Sequence, residues 1–508
     1  MFISRPGPGT RAKPVAPRMV ATPLSATLAL VALALLLRAP GFAASVLDPD
    51  EGLYLLQAVT WLQGGWPYLA VWDMHPVGAP GLLALPVALI PSPLMALRLA
   101  GVASVAATAV LLRLLVMRLG GDAVAGFAAG LLYIAHTLVL GGLATNTEIL
   151  FAPFVVGGAL LLFGEAFRPA PPRAGLVFAA GLVLGMALWV KQVVGLEASA
   201  LWLTMVGVAA WRGRLGIGRL LVLALVFALG CGLPTALTAA TYAAFGAFDE
   251  WWRSNVLVLL DYSAIEDGSP GLRRGLAAVL GFLMLPVAAA LLLLLVPRRR
   301  RPHAALLVPW LGAAGVQAIA PMKFFDHYFL MLLPPLCALA ALGISAAARH
   351  AARRRHRAAA VLLLAAGIAL LPVATVLLPR FGAGFGWRLP DPPAQVAAIA
   401  RANLAAGEAM WVVNWHPITY VLAGQDAPSR FAFPTHLTGM HAVLTGVDYE
   451  AEMNRVLALP PRIIVIAPSR WWAVRPEARV IIESALAGYD RIARVPDGDG
   501  PVEVWRRR

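Results

Sequence analysis

Apolar runs of about 20 residues, the length needed to cross the hydrocarbon core of a bilayer, recur along this chain and leave room for little else. They fall at 19–44, 94–117, 123–143, 149–167, 174–190, 194–211, 220–244, 275–296, 304–320, 328–347 and 359–378. Only 13% of the 508 residues are charged, against about 25% in an ordinary soluble domain, so a water-soluble globule is excluded. The expected fold is all-α and polytopic, with about eleven transmembrane helices. The stretch 77–90 is apolar but short and is interrupted by Pro80 and Pro86. It reads as a re-entrant or interfacial helix; if it crossed, every later orientation would invert.

The net charge is +15, and its distribution gives it meaning. Starting from a cytoplasmic N-terminus, one side receives Arg11, Lys13 and Arg18, then Arg113 and Arg118, Arg168 and Arg173, Arg212, Arg214 and Arg219, and the runs at 298–301 and 349–357. The opposite side receives chiefly Lys191, Arg253, Arg273, Arg274 and Lys323. Cytoplasmic loops are enriched in Lys and Arg, so the charge reports topology, and no nucleic-acid partner is expected. Lys191 and Lys323 are notable as lysines on the face where basic residues are scarce. Cys231 and Cys337 both lie inside apolar runs and indicate no disulfide framework.

Residues 1–18 read as a cytoplasmic tail and 19–379 as the membrane domain. From 380 onward the pattern changes. Short strands are expected at 410–414, 462–467, 490–495 and 502–505, and helices at 447–459 and 477–486. Strands alternating with helices indicate a small α/β domain over 380–508, which eleven spans place outside the cytoplasm.

The segment with most chemistry is the outer loop 45–76, which has no Lys or Arg after Asp48 but contains Asp48, Asp50, Glu51 and Asp73. Asp48-Pro49-Asp50-Glu51 has the pattern of a helix start: an N-cap aspartate, a proline at the first helical position and a capping-box glutamate. That explains Asp48 and Glu51 as structure and leaves Asp50 only a general dipole benefit. The following residues 53–63 suit an amphipathic helix lying in the interface. A buried carboxylate away from cations has its pKa raised toward neutrality, which suits a general base for a hydroxyl group. Asp50 is the leading candidate, with Glu51 second.

Asp50-Glu51-Gly52-Leu53-Tyr54, Gly64-Gly65-Trp66-Pro67-Tyr68 and Trp72-Asp73-Met74-His75-Pro76 resemble the first outer loop of the GT-C membrane glycosyltransferases. The likeness is greatest to the family 39 group, which includes protein O-mannosyltransferases, lipid A aminoarabinose transferases and rhizobial core galacturonosyltransferases. Weaker similarity continues through Asn146-Thr147-Glu148, Lys191-Gln192 and His327-Tyr328-Phe329-Leu330. The resemblance implies an enzyme of the bacterial cytoplasmic membrane, working on its outer face. It would invert the anomeric carbon of a polyprenyl-phosphate sugar and pass the sugar to a lipid, glycan or protein acceptor, with the Asp50 position as base. Where many relatives have Lys-Pro, this chain has His75-Pro76. His75 would contact donor phosphate, bind a metal or cap the turn.

Lys191 and Lys323, with His327 and Tyr328, are candidates to hold the donor phosphate, where leaving-group charge needs a preorganised cation. For the lysines the alternative is snorkelling from helix ends. Asp73 and Glu148 are candidates for an acceptor or second acidic site, and a divalent metal held by His75 and Glu148 stays open as a cofactor. The competing reading is a transporter or lipid flippase without bond chemistry. It would place ionisable groups near the bilayer midplane, whereas here the charges gather at the outer edge.

Overall fold

The computed structural model describes residues 24–262, 271–280, 287, 290–295, 301–351, 355–382 and 390–508. The expected tail 1–18 and part of the expected span 275–296 lie outside them. Among the described residues, seven helices are long and apolar enough to cross a membrane: Leu24–Ala43, Pro93–Arg118, Thr147–Ala166, Gln192–Trp211, Ile217–Ala244, Asp326–Arg349 and Ala359–Pro379. Shorter apolar helices occupy Gly78–Leu89, Ala123–His136, Ala174–Val190 and His303–Ile319. The protein is a polytopic, mainly helical membrane protein.

In chain order the leading elements are α1 (Leu24–Arg38), α2 (Pro49–Leu62), α3 (Gly78–Leu89), α4 (Pro93–Arg118), α5 (Ala123–His136), α6 (Thr147–Ala166), α7 (Ala174–Val190), α8 (Gly195–Trp211) and α9 (Ile217–Ala244). Helices α7 and α9 approach closely through small residues. A β-carbon at Gly181 would lie 2.6 Å from the Phe227 carbonyl oxygen, and one at Gly230 2.6 Å from that of Phe178. Small residues at such seams let backbones pack where lipid supplies no hydrophobic drive. Gly78, at the start of α3, likewise sits against the backbone of Trp189 and Val190 with no room for a side chain.

The expected span 123–143 stops early. Helix α5 ends at His136, and at 14 residues it is about 21 Å long, short of the roughly 30 Å core. The chain then continues as irregular backbone through Leu140 (φ 59) and Gly141 (φ 70). Such backbone is tolerated at membrane depth only when protein covers it. Buried Arg38 does so, donating from its guanidinium to the carbonyls of Gly142, Leu143 and Ala144 at 2.6, 2.8 and 3.2 Å.

Helix α2 is also more enclosed than an interfacial helix would be, since every residue from Glu51 to Ala58 is buried. Tyr54, Leu55 and Ala58 pack into the membrane-helix core. Leu53 and Leu56 pack against Val396, Trp415 and Tyr420 of the C-terminal region.

The C-terminal region carries β1 (Met410–Val412), β2 (Ile463–Ile466), β3 (Tyr489–Val495) and β4 (Val502–Arg507) in the order β1-β2-β4-β3. Strands β1 and β2 run parallel, with Met410 opposite Ile463, and β3 and β4 form an antiparallel hairpin. The helices Tyr449–Ala458 and Pro476–Leu486 fall where the sequence predicts them. Ile463, Val465, Val502 and Val504 pack on one face of the sheet and Ile464 and Ile466 on the other, which is why β2 is continuously apolar.

Candidate active site

A cavity of about 1550 Å³ lies between the N-terminus of α2, the segments around Asp73 and Asp326, and the C-terminal sheet region. Asp48, Asp50, Asp73, His75, Lys191, His327 and Tyr328 line it. The structure thus gathers residues more than 270 positions apart in sequence.

The start of α2 sets the geometry. Asp48 is the N-cap, its Oδ1 accepting the N–H of Asp50 at 3.0 Å, and Pro49 occupies the first helical position. Asp50 then projects one position further on, and its carboxylate has no hydrogen-bond or ion-pair partner among the described residues. Burial within the cavity is the main influence that pushes Asp50 up to about 6; Asp73 and Glu148 add to it, while His75 and Lys191 oppose it. Asp48 is pushed up to about 7, by burial first and then by the charge of Asp50.

Asp48, Asp73 and Glu148 are each engaged. Asp48 Oδ2 lies 3.6 Å from His327 Nδ1 and 3.5 Å from Asn146 Nδ2. Asp73 Oδ2 is 3.0 Å from His75 Nδ1, and Asp73 Oδ1 accepts from the Met74 N–H at 2.7 Å. Burial works to raise Asp73 and to lower His75, but their mutual attraction outweighs it: Asp73 ends below its ordinary value and His75 above. Glu148 accepts from Lys191 Nζ at 2.6 Å and from Thr147 Oγ1 at 2.9 Å.

Two of the expected site residues lie off the cavity wall. Glu51 is fully buried and does not line the cavity; Arg98 Nη1, the Thr145 N–H and the Leu47 N–H occupy its oxygens at 2.6, 2.8 and 3.0 Å. A capping box would have bonded the N–H of Asp48 instead. Lys323 is buried with its ammonium 5.3 Å from the centre of the Tyr262 ring and is not part of the cavity wall, although Tyr262 is. Lys191 does reach the wall, with its ammonium 4.9 Å from the Tyr328 ring centre.

His75 is paired with Asp73, and Glu148 with Lys191. Among the described residues no three His, Cys, Asp or Glu side chains are close enough to form a metal site.

Sequence reasoning missed part of the wall. Arg274, on the helix Gly271–Ala278, lines the cavity and stacks over Phe325 at 5.6 Å, with no carboxylate partner among the described residues. The sheet region adds Trp415, His416, His436, His441 and Arg470. The available signal was Asn414-Trp415-His416-Pro417, a polar and aromatic turn directly after a strand.

No protein-family profile and no curated protein matches the chain in sequence. In three dimensions it resembles ArnT from Cupriavidus metallidurans, in a crystal structure with undecaprenyl phosphate bound. The TM-score is 0.59 at 16% identity, covering 95% of this chain and 98% of that one. The apo crystal structure of the same ArnT gives 0.58 at 15%, over the same shares. The oligosaccharyltransferase of Archaeoglobus fulgidus in its apo form gives 0.50 at 14%, covering 87% of this chain and 69% of that one. Likeness of this extent at such low identity establishes architecture: the chain has the GT-C fold of ArnT.

Proposed function

We propose that the protein is an inverting membrane glycosyltransferase that moves a sugar from a polyprenyl phosphate to an acceptor hydroxyl. The observation that carries this reading is Asp50, a carboxylate on the cavity wall that has no direct partner among the described residues and is raised to about 6. A base so poised is largely ionised at neutral pH yet basic enough to take a proton from a hydroxyl in the transition state. The undecaprenyl phosphate bound by the ArnT of the same fold supports the donor class.

In the reaction, Asp50 accepts the acceptor's O–H proton as that oxygen forms a bond to the anomeric carbon. The bond from that carbon to the donor phosphate oxygen breaks on the opposite face, and polyprenyl phosphate leaves with the electron pair. Lys191 and Arg274 meet the negative charge that develops there. Lys191 is already paired with Glu148, whereas Arg274 has no carboxylate partner among the described residues. His75, held by Asp73, offers a further donor in the place of a lysine. Holding donor and acceptor in one cavity supplies proximity and orientation.

Membranes containing the protein, given a panel of polyprenyl-phosphate hexoses and pentoses, should release polyprenyl phosphate and form a glycosylated product. Binding without turnover for every donor would instead favour translocation. Arg274→Gln should weaken donor affinity about ten- to a hundredfold, as expected for a lost hydrogen bond to a charged group, whereas Lys323→Met should leave it near wild type. Equal effects on donor KM would undo this division of roles.

The same reading puts the cavity and the sheet region 380–508 on the extracytoplasmic side of a bacterial cytoplasmic membrane, in keeping with the arginine distribution. A reporter fused after Arg508 should be active only outside the cytoplasm; cytoplasmic activity would rule out the orientation.

A further inference from the structure

Part of the cavity wall comes from the C-terminal sheet, and it is built around the parallel pair β1 and β2. The segments leaving their C-terminal ends carry Trp415 and His416 after β1, and Ser469, Arg470 and Trp472 after β2, all on the cavity lining. Open α/β sheets bind ligands outside the carboxyl ends of their parallel strands. Asn414 ties the two segments together, donating to the Ala467 carbonyl at 3.0 Å and accepting the Ala467 N–H at 2.8 Å. The β3–β4 turn closes the wall: Trp415 Nε1 donates to Asp497 Oδ2 at 3.1 Å and Arg470 Nη2 to Asp499 Oδ2 at 2.9 Å. This turn needs Gly500, whose φ is +127 and where a β-carbon would press on Ser469 at 2.9 Å.

None of these groups takes part in the proton transfer assigned to Asp50, yet the cluster carries unused bonding capacity. His416 is nine-tenths buried, and among the described residues neither its Nδ1 nor the Ser469 hydroxyl has a hydrogen-bond partner. Trp472 is 81% exposed at the rim, a large aromatic surface that water covers poorly.

Charge narrows the class of ligand. Arg470 and Asp499 neutralise each other, and Asp497 adds a negative charge. Burial, reinforced by Arg470, holds His416 down near 4, so its imidazole is neutral at physiological pH, with one N–H donor and one acceptor nitrogen. A phosphate or carboxylate would meet two aspartates here. An uncharged sugar ring fits better: its hydroxyls both donate and accept, matching Arg470, Asp499 and Ser469, and its C–H face can lie on the Trp472 indole.

We propose that the wall formed by Trp415, His416, Ser469, Arg470, Trp472 and Asp499 is a subsite for an uncharged sugar ring of the acceptor, making the acceptor a glycan. Only the word acceptor rests on the transferase reading; the sugar site stands on the wall itself.

Saturation-transfer NMR on the full-length protein in detergent tests it, with methyl glycosides of glucose, galactose and mannose as probes and inorganic phosphate as competitor. At least one glycoside should bind, and Trp472→Ala and Asp499→Ala should each weaken it about tenfold or more. Both side chains are mostly exposed, at 81% and 70%, so the variants should fold, which a thermal melt checks. Absence of binding by all three glycosides, binding indifferent to both substitutions, or displacement by phosphate would each overturn the proposal. The two readings fail separately. A protein that binds glycoside at this wall but turns over no donor loses the transferase reading alone. A working transferase whose glycoside binding ignores both substitutions loses this subsite alone.

Discussion

Asp50→Asn should lower turnover by about a hundred- to ten-thousand-fold, the usual contribution of general-base catalysis, with donor binding and thermal stability close to wild type. Asparagine keeps the size and much of the polarity of aspartate but cannot take the proton. Folding should be spared, because the Asp50 carboxylate makes no hydrogen bond or ion pair among the described residues, while the cap at the start of α2 belongs to Asp48. Asp48→Ala should show the opposite ranking, with about 1 kcal/mol of stability lost with the cap and the smaller effect on turnover. In the wild type the working form is the carboxylate. Asp50 is raised to about 6, so turnover should climb with pH below that point and level off above it. Asp48, raised to about 7 in the same cavity, titrates together with it, and the profile will report apparent values of the pair. Steady-state turnover from pH 5 to 8 for the wild type, Asp48→Ala and Asp50→Asn separates the two. Near-normal turnover in Asp50→Asn would remove Asp50 as the base.

The cap at the start of α2, and the place of Asp50 beside it, were legible in the sequence because the argument for them is local. An N-cap, a proline and an acidic residue within three positions define who caps the helix and who is left over. The long spans were legible for a similar reason, since hydropathy over about 20 residues needs no knowledge of neighbours. The strands 410–414 and 462–467 could be read as short apolar β-branched runs, and β1 and β2 fall inside them. What escaped the sequence depends on distant partners. The early end of α5 is stabilised by Arg38, about a hundred residues upstream of the carbonyls it binds. Arg274 and the loops after β1 and β2 become cavity wall only once the chain has folded back across more than 200 residues to meet α2. The main partner of Glu51 escaped for the same reason. Its neighbours in sequence suggested a capping box, whereas its strongest partner, Arg98, lies 47 positions away.

That pair leads to the second large effect. Glu51 and Arg98 are both nearly fully buried, at 0% and 3% side-chain exposure, with Nη1 and Oε2 2.6 Å apart. Around them, Arg98 Nη2 also donates to the carbonyls of Ala44 and Ser45, and Glu51 accepts from the N–H groups of Leu47 and Thr145. The pair therefore fastens four pieces of chain: the exit from α1, the start of α2, helix α4 and the irregular segment after α5. Removing one partner leaves a buried, uncompensated charge, which costs about 3–5 kcal/mol. Glu51→Ala should accordingly give a large fall in thermal stability in detergent, with turnover lost only in proportion to the unfolded fraction. Replacing both residues by apolar ones, Glu51→Leu with Arg98→Leu, removes the orphan charge and should recover much of that loss. Catalysis by Glu51 makes the reverse forecast: Glu51→Gln would keep its melting temperature and lose its turnover, and that result would return Glu51 to the reaction and take Asp50 out of it.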